Sequence, residues 1–389
     1  MNKSRCLGFI LLLTSHFTLY SEELTVAFTQ ETYDLTSMFN RFSKQTGTQI
    51  RIATLGSEDL KVELLQRAGE NMLPDAIVVP ADYIGLEEIK YSPIPASLNH
   101  PDTNKSLING LRLDGRQVAI PIIAGNHLVL YFNKTHIADP AKEWRELIEQ
   151  RSILTTGTSL IGWSYNEMYW FLPFLTAFGE PPLVNQKIQL NTQGMKNALS
   201  YYWSFSQQNV VDEKCDYQCT FDRFSDGNMA YMINGVWASG KLIKNMGDNV
   251  GIAELPHIEN KIMRPYYSAY VIAFPNNSLS SNKAAILKKL AMFFQSHETQ
   301  TLLWSEIHAL PVNQVVSKEI YNNANSNEKA IFKQLEHAIP LPTTREMAIA
   351  WAAMGKGIGR YRAGILDLEQ VADYMQHVAD KSLKELDEN

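Results

Sequence analysis

Alternating strands and helices near the N-terminus constrain the fold of this chain more than any other feature. Apolar runs at residues 24–28, 49–53 and 76–79 predict three strands. Residues 35–46 and 59–68 predict the helices between them, with apolar side chains on one face of each. The order strand–helix–strand–helix–strand predicts a mostly parallel sheet covered by helices, which is the α/β class.

Residues 111–134 contain two further apolar strands that are separated by a short polar break. The strands are predicted at residues 117–123 and 128–132, and residues 125–127, Gly-Asn-His, form the break. Asp114-Gly115 predicts a hairpin turn before the first of them. Two interpretations fit this spacing: an ordinary hairpin with a bulge, or a chain that leaves one domain core and enters another.

Residues 1–21 have the composition of a cleavable signal peptide. Lys3 and Arg5 give a positive start, residues 7–13 are apolar, and residues 19–21 form a cleavage site. The apolar run is much shorter than the ~20 residues needed to span a bilayer. The sequence therefore predicts an exported protein without a membrane helix.

Export determines how Cys215 and Cys219 are interpreted. In an oxidising compartment, two cysteines four positions apart predict a local disulfide. A metal site is the weaker alternative, because no histidine or third cysteine lies near them in the sequence. We therefore expect a structural disulfide bond between these two cysteines and no bound metal.

Composition and motifs argue against several classes of function. The 389 residues, 45% of them hydrophobic, suffice for two α/β lobes or one large one, and the formal net charge of −6 argues against nucleic acid. Residues 355–359, Gly-Lys-Gly-Ile-Gly, lack the spacing of a phosphate loop, and the motifs of zinc proteases and α/β hydrolases are missing. We therefore expect neither enzymatic activity nor a cofactor.

Several motifs, in one order along the chain, resemble the extracellular solute-binding proteins of ABC importers. Residues 42–47 match F-x-x-x-T-G, Pro74-Asp75 precede an apolar strand, and residues 131–134 end a strand as Tyr-Phe-Asn-Lys. Residues 224–237 resemble F-x-x-G-x-x-A-M-x-x-N-G-x-W of the carbohydrate-binding members, which include the maltodextrin-binding proteins. The resemblance covers residues 24–383.

This resemblance implies a two-lobed fold of the periplasmic-binding type II class and favours the crossing interpretation of residues 124–129. The N-terminal lobe would comprise residues 22–124 and 272–320, and the C-terminal lobe residues 129–269 and 327–389. Hinges would lie near residues 124–129, 269–272 and 320–327.

The resemblance also implies a ligand site between the lobes. Its residues would be Glu31, Asp82, Asn126, Glu167, Tyr169, Trp237 and Trp351. The chain departs from the maltodextrin-binding pattern where Val79, Tyr83 and Asn126 replace a tryptophan, an arginine and a glutamate, and where Met168 replaces a proline. The retained aromatic residues favour a sugar, whereas the altered N-terminal positions do not specify maltose.

The function implied is that of a monomeric periplasmic protein that captures a sugar and delivers it to an ABC permease of the inner membrane. Two alternatives remain: the same fold holds a polyamine, a glycerophosphodiester or another solute, or it presents its ligand to a membrane sensor. The aromatic residues also have a purely structural interpretation. Residues 163–178, which are rich in tryptophan, tyrosine and phenylalanine, predict a helix that belongs to the core.

Overall fold

The computed structural model describes residues 23–28, 33–54, 57–179 and 181–387, so the predicted signal peptide and Glu31 lie outside the described residues. In chain order the strands are β1 (Glu23–Phe28), β2 (Gln49–Thr54), β3 (Ala76–Pro80), β4 (Arg112–Leu113), β5 (Arg116–Gln117), β6 (Ala119–Ile123), β7 (Leu128–Asn133), β8 (Ser159–Gly162), β9 (Leu183–Val184), β10 (Lys187–Ile188), β11 (Met229–Gly235), β12 (Val250–Ala253), β13 (Tyr266–Tyr267), β14 (Tyr270–Ala273) and β15 (Ile339–Pro340). The α-helices are α1 (Thr36–Thr46), α2 (Ser57–Gly69), α3 (Lys105–Asn109), α4 (Trp144–Glu149), α5 (Met168–Phe178), α6 (Gln193–Gln207), α7 (Tyr217–Ser225), α8 (Ser239–Met246), α9 (Ala284–Gln295), α10 (His297–Ile307), α11 (Gln314–Asn323), α12 (Ser326–His337), α13 (Arg345–Arg362) and α14 (Leu368–Asp387).

The strands form two main sheets, one in each lobe. The sheet of the N-terminal lobe has the order β2-β1-β3-β14-β6, and that of the C-terminal lobe has the order β12-β7-β11-β8. The chain thus leaves the first sheet after β6, builds the second sheet, and returns to the first with β14. The predicted two-lobed α/β class is confirmed.

In each of these sheets one strand runs opposite to all the others. β14 is antiparallel to both of its neighbours, and so is β7, whereas the remaining strands share one direction. The reversed strand is the one that the chain enters directly from the other lobe, because it then arrives from the side of the lobe boundary. The other strands satisfy the mostly parallel arrangement that the helical connections predict.

The helix α1 shows how the predicted periodicity builds the N-terminal lobe. Its residues Met38, Phe39 and Phe42 are buried, and Phe39 packs edge-on against Phe294 of α9. The helix ends at Gly47, which has the left-handed φ of 72° and donates its backbone N–H to the carbonyl of Ser43. A glycine is favoured there because a side chain would be strained at this φ.

The aromatic run at residues 163–178 contributes to the core of the C-terminal lobe, but only its last eleven residues are helical. α5 begins at Met168 because Glu167, with φ −88° and ψ 128°, has an extended backbone and caps the helix. Trp163 precedes the helix, is fully buried, and donates its indole N–H to the Tyr202 hydroxyl at 2.8 Å. The core interpretation therefore holds for Trp163, whereas the predicted helix starts five residues too early.

Three connections pass between the lobes, and they lie side by side. The first is residues 124–127 and the second is residues 268–269. The third comes after residues 312–314, which still bond to Asp102 and Asn104 of the N-terminal lobe, and before α12, which packs on β12 of the C-terminal lobe. Ala124 donates its N–H to the carbonyl of Leu310 at 2.8 Å, and Ser268 donates to the carbonyl of Gly125 at 2.9 Å. Ala124 and Leu310 pair only as an isolated antiparallel bridge and not as part of a continuous strand.

No helix within the described ranges combines the length and the apolar character that a membrane span requires.

Candidate functional site

A group of aromatic side chains lies where the three connections leave the C-terminal lobe. Its members are Tyr169 and Trp170 of α5, Tyr217 of α7, and Trp237, which follows β11. The ring of Trp237 lies 6.3 Å from the ring of Tyr169 and 6.3 Å from that of Trp170, measured between centroids. Its indole N–H donates to the Tyr217 hydroxyl at 3.1 Å. We call Tyr169, Trp170, Tyr217 and Trp237 the aromatic group.

Trp237 also contacts both lobes. It is partly buried, and it packs against the hydrophobic clusters of the N-terminal and of the C-terminal lobe. Its ring lies on the backbone of Gly235, where an added Cβ would come within 1.9 Å of it. Glycine is therefore required at position 235 because the ring occupies the space of a side chain.

Tyr169 ties α5 to two of the connections. Its one hydroxyl proton is shared between two carbonyl acceptors, that of Tyr266 at 2.9 Å, beside the second connection, and that of Asn126 in the first. Although its ring is partly exposed, burial raises the pKa of this hydroxyl well above its ordinary value of 10.0, and the carboxylate of Asp82 raises it further. Tyr169 is therefore a neutral hydrogen-bond donor at physiological pH.

Asn126 shapes the first connection as well as supplying a polar side chain. Its φ is 47°, in the left-handed region, which asparagine tolerates better than glutamate does. Its amide donates to the Ser268 hydroxyl at 3.2 Å, and so links the first connection to the second. An asparagine at this position therefore has a conformational reason.

One carboxylate, that of Asp82, acts on Tyr169 from the N-terminal lobe, and a second, that of Glu167, precedes it closely in the chain. Asp82 is exposed in the 3₁₀ turn Ala81–Gly85 that follows β3 of the N-terminal lobe, and it contributes to the raised pKa of both Tyr91 and Tyr169. Glu167 is exposed at the N-terminal cap of α5, two residues before Tyr169. The structure thus brings Asp82, Asn126, Tyr169 and Trp237 to one region between the lobes, and Glu167 is linked to it only through its place at the start of α5.

Trp351 lies on α13, at the edge of this region. The Thr343 hydroxyl, just before α13, donates to the carbonyl of Gly110 in the N-terminal lobe at 2.8 Å. One turn after Trp351, a Cβ added to Gly355 would lie 3.8 Å from the Met168 methyl group at the start of α5. Within the described ranges, Trp351 makes no ring contact with Tyr169 or Trp237. Glu31 lies outside the described residues.

Sequence reasoning missed three tyrosines of this region: Tyr33, Tyr217 and Tyr270. The structure joins Cys215 and Cys219 in a disulfide with Cα atoms 5.2 Å apart, and this closes the turn that carries Tyr217. The Asp216 carboxylate accepts the backbone N–H of Cys219 at 2.9 Å and caps α7. The position of Tyr217 between the two cysteines was the signal that could have identified it.

The described residues include no group of three or more histidine, cysteine, aspartate or glutamate side chains that could hold a metal ion.

Comparisons with known proteins agree with this architecture. The family model described as bacterial extracellular solute-binding protein matches residues 37–333. The maltodextrin-binding protein MdxE of Bacillus subtilis (strain 168) is 22% identical over 395 residues, which cover 93% of this chain and 90% of that protein. The maltose/maltodextrin-binding domain MalE from Bdellovibrio bacteriovorus, solved with maltotriose bound, has a TM-score of 0.83 at 23% identity and covers 93% of this chain and 100% of its own. The chain therefore belongs to the bacterial extracellular solute-binding proteins, and it is a binding protein and not an enzyme.

Proposed function

We propose that this protein captures a sugar or an oligosaccharide of the maltodextrin type between its lobes and delivers it to an ABC permease of the inner membrane. The observation that carries the proposal is Trp237, an indole that contacts the hydrophobic clusters of both lobes and is flanked by Tyr169 and Tyr217. The names of the Bacillus relative and of the Bdellovibrio structure support a ligand of this class.

The chemistry of the region fits a sugar. The C–H face of a pyranose packs on an aromatic ring, and its hydroxyl edge needs planar polar side chains. Trp237 and Tyr169 supply rings, whereas Asp82, Asn126 and Glu167 supply carboxylate and amide groups. Glu31 and Trp351 complete the proposed set of ligand-binding residues.

Binding would proceed by closure of the two lobes about their connections. We assign residues 22–124 and 272–320 to the N-terminal lobe and residues 129–269 and 327–389 to the C-terminal lobe, with hinges near 124–129, 269–272 and 320–327. A ligand favours the closed state only to the extent that it contacts both lobes.

The radius of gyration of the protein in solution is therefore expected to fall when a saturating sugar is added. Small-angle X-ray scattering with and without maltotriose measures this change, and sucrose at the same concentration controls for solvent contrast. An unchanged radius in the presence of a sugar shown to bind would contradict closure.

The location and assembly state follow from the same proposal. Cleavage after the signal peptide at residues 1–21 would release the protein into the periplasm, where it would act as a monomer. The disulfide between Cys215 and Cys219 suits an oxidising compartment.

A cationic solute such as a polyamine is the second candidate. Asp82 and Glu167 place carboxylates beside the aromatic group, and an ammonium group binds both to carboxylates and to the faces of aromatic rings. A thermal-shift screen that includes maltotriose, glucose and spermidine separates the two classes. Stabilisation by spermidine and by no sugar would replace the proposed ligand with a cation.

Replacing Trp237 by alanine is expected to weaken maltotriose binding about five- to two-hundred-fold, which corresponds to roughly 1–3 kcal/mol. The loss arises because the variant removes both apolar contact and the ring that faces the sugar. Isothermal titration calorimetry measures the dissociation constant directly. Trp351→Ala tests the second proposed ring in the same way.

Trp203→Ala is the matched control for this test. Trp203 is also partly buried in the C-terminal lobe, but its ring packs on Tyr165 and Tyr361, away from the aromatic group. We expect this variant to lower the melting temperature and to leave the dissociation constant unchanged. Equal affinity of the wild type and the folded Trp237→Ala variant would reject the role of Trp237 as a sugar platform.

A further inference from the structure

Tyr33 is a buried residue on the hinge side of the N-terminal lobe. Its side chain is 2% exposed and belongs to the hydrophobic cluster of that lobe. Its ring meets the ring of Tyr270 edge-on, with centroids 5.1 Å apart and planes at 87°. Because Tyr270 is the first residue of β14, directly after the second connection, Tyr33 lies against the point where the chain re-enters this lobe.

The side chain of Tyr33 is also close to the aromatic group of the other lobe. Trp237 packs against the same hydrophobic cluster that contains Tyr33. Burial raises the pKa of the Tyr33 hydroxyl well above 10.0, and Tyr270, Tyr169 and Tyr217 raise it further. Tyr33 therefore shares its hydrophobic cluster with Trp237 of the aromatic group.

This hydroxyl has no hydrogen-bond partner among the residues that the structure describes. Two other buried tyrosines, by contrast, are paired: Tyr131 donates to the carbonyl of Gly235 at 2.9 Å, and Tyr165 donates to that of Tyr202 at 2.7 Å. A buried polar group without a partner costs about 1–3 kcal/mol, so such a group calls for a specific explanation.

We propose that Tyr33 is a ligand-contacting residue of the N-terminal lobe and that its hydroxyl forms a hydrogen bond with a hydroxyl group of the bound sugar. This inference rests on the proposed function. A sugar hydroxyl both donates and accepts, so it satisfies the tyrosine in either direction.

The position of Tyr33 gives this contact a second role. The sugar face is held by Trp237 and Tyr169 in the C-terminal lobe, whereas Tyr33 reaches it from the N-terminal lobe. A ligand that bonds to Tyr33 therefore contacts both lobes, which is the condition for it to favour closure. It also selects for hydroxylated ligands, because a ligand lacking that hydroxyl leaves a buried tyrosine unpaired.

The test is Tyr33→Phe, which removes the hydroxyl and keeps the ring against Tyr270. We expect maltotriose binding, measured by calorimetry, to weaken about five- to fifty-fold. The melting temperature of the ligand-free variant should stay the same or rise, because an unpaired buried hydroxyl is lost. A drop in melting temperature with an unchanged dissociation constant would overturn the proposal.

Tyr266→Phe is the matched control. The Tyr266 hydroxyl is likewise buried without a partner among the described residues, but it lies in the core cluster of the C-terminal lobe. Removing it should leave maltotriose affinity unchanged. An equal loss of affinity in both variants would overturn the specific role of Tyr33.

The wild-type screen separates this proposal from the proposed function. If maltotriose and glucose fail to bind and spermidine binds, the sugar is rejected, and so is the hydrogen bond from Tyr33 to a sugar hydroxyl. If maltotriose binds equally well to the wild type and to Tyr33→Phe, the sugar function stands and only the role of Tyr33 is overturned.

Discussion

Replacing Gln300 by methionine is expected to lower the free energy of unfolding by about 4 kcal/mol. The amide of Gln300 is fully buried in α10, where it donates to the carbonyls of Ile122 at 2.8 Å and Phe294 at 2.7 Å. Its oxygen accepts the backbone N–H groups of Val312 at 2.7 Å and Asn313 at 3.3 Å. Methionine fills a similar volume but leaves these four backbone groups without a partner.

Urea denaturation followed by circular dichroism measures this loss. Gln314→Met is the control, because Gln314 is exposed at the start of α11 and the same substitution there buries nothing. We expect the control to stay within about 0.5 kcal/mol of the wild type. A loss below about 1 kcal/mol for Gln300→Met would mean that the backbone groups find other partners.

Acid is expected to destabilise the protein by about 3 kcal/mol through His127 alone. His127 lies in the first connection, is fully buried, and has its Nε2 3.0 Å from the carbonyl oxygen of Ile331. Burial lowers its pKa from 6.5 to about 4, although the hydrogen bond to Ile331 opposes this shift. Its Nδ1 has no partner among the described residues, so a second proton there would be an unpaired buried donor.

The sign of this pH dependence follows from the number of protons that the folded and unfolded states bind. Between pH 6.5 and about 4 the unfolded chain binds a proton at this histidine and the folded protein does not. Above pH 6.5, His127 is neutral in both states and does not change the free energy of unfolding. As the pH falls from 6.5 to about 4, protonation of the unfolded chain lowers that free energy. Unfolding by urea at pH 7, 6, 5 and 4 measures the slope.

His127→Gln isolates this contribution, since glutamine can still donate to the carbonyl of Ile331 but does not titrate. Its stability should depend less on pH, by about 3 kcal/mol across the window. His377→Gln, at an exposed position on α14, should keep the slope of the wild type. The burial of His308 also lowers its pKa, and this contribution stays in both variants. A His127→Gln slope equal to that of the wild type would contradict the assignment.

The elements that bury a regular apolar pattern could be predicted from the sequence. The strand predicted at residues 76–79 is β3, whose residues 76–79 are all buried, and the helix predicted at residues 35–46 is α1 with its buried Phe42. α11 was not predicted, because Val316 is its one buried residue and no apolar period marks it. α10 was not predicted for a related reason: two of its buried residues, Thr299 and Gln300, are polar, so they do not mark an apolar face.

Residues of the candidate site could be predicted only where they belong to a sequence motif. Trp237 and Tyr169 stand at positions that resemble a known family, and the structure places them 6.3 Å apart. Tyr33 belongs to no such motif, and the ring it meets edge-on, that of Tyr270, lies more than two hundred residues later in the chain. Contacts of this kind are set by the tertiary fold and leave no local pattern.

The return of β14 to the N-terminal sheet has a consequence for the order in which the protein folds. All strands of the C-terminal sheet lie between residues 128 and 253, whereas β3 and β6 are joined only by β14, at residues 270–273. During synthesis about 150 residues separate β6 from β14, an interval of roughly 7–30 s at cellular elongation rates. During that interval β3 and β6 lack the strand that lies between them, whereas all four strands of the C-terminal sheet have been made by its end. The sheet that is begun first is therefore completed last, and β3 and β6 stay without their shared neighbour until the final third of the chain has begun to emerge.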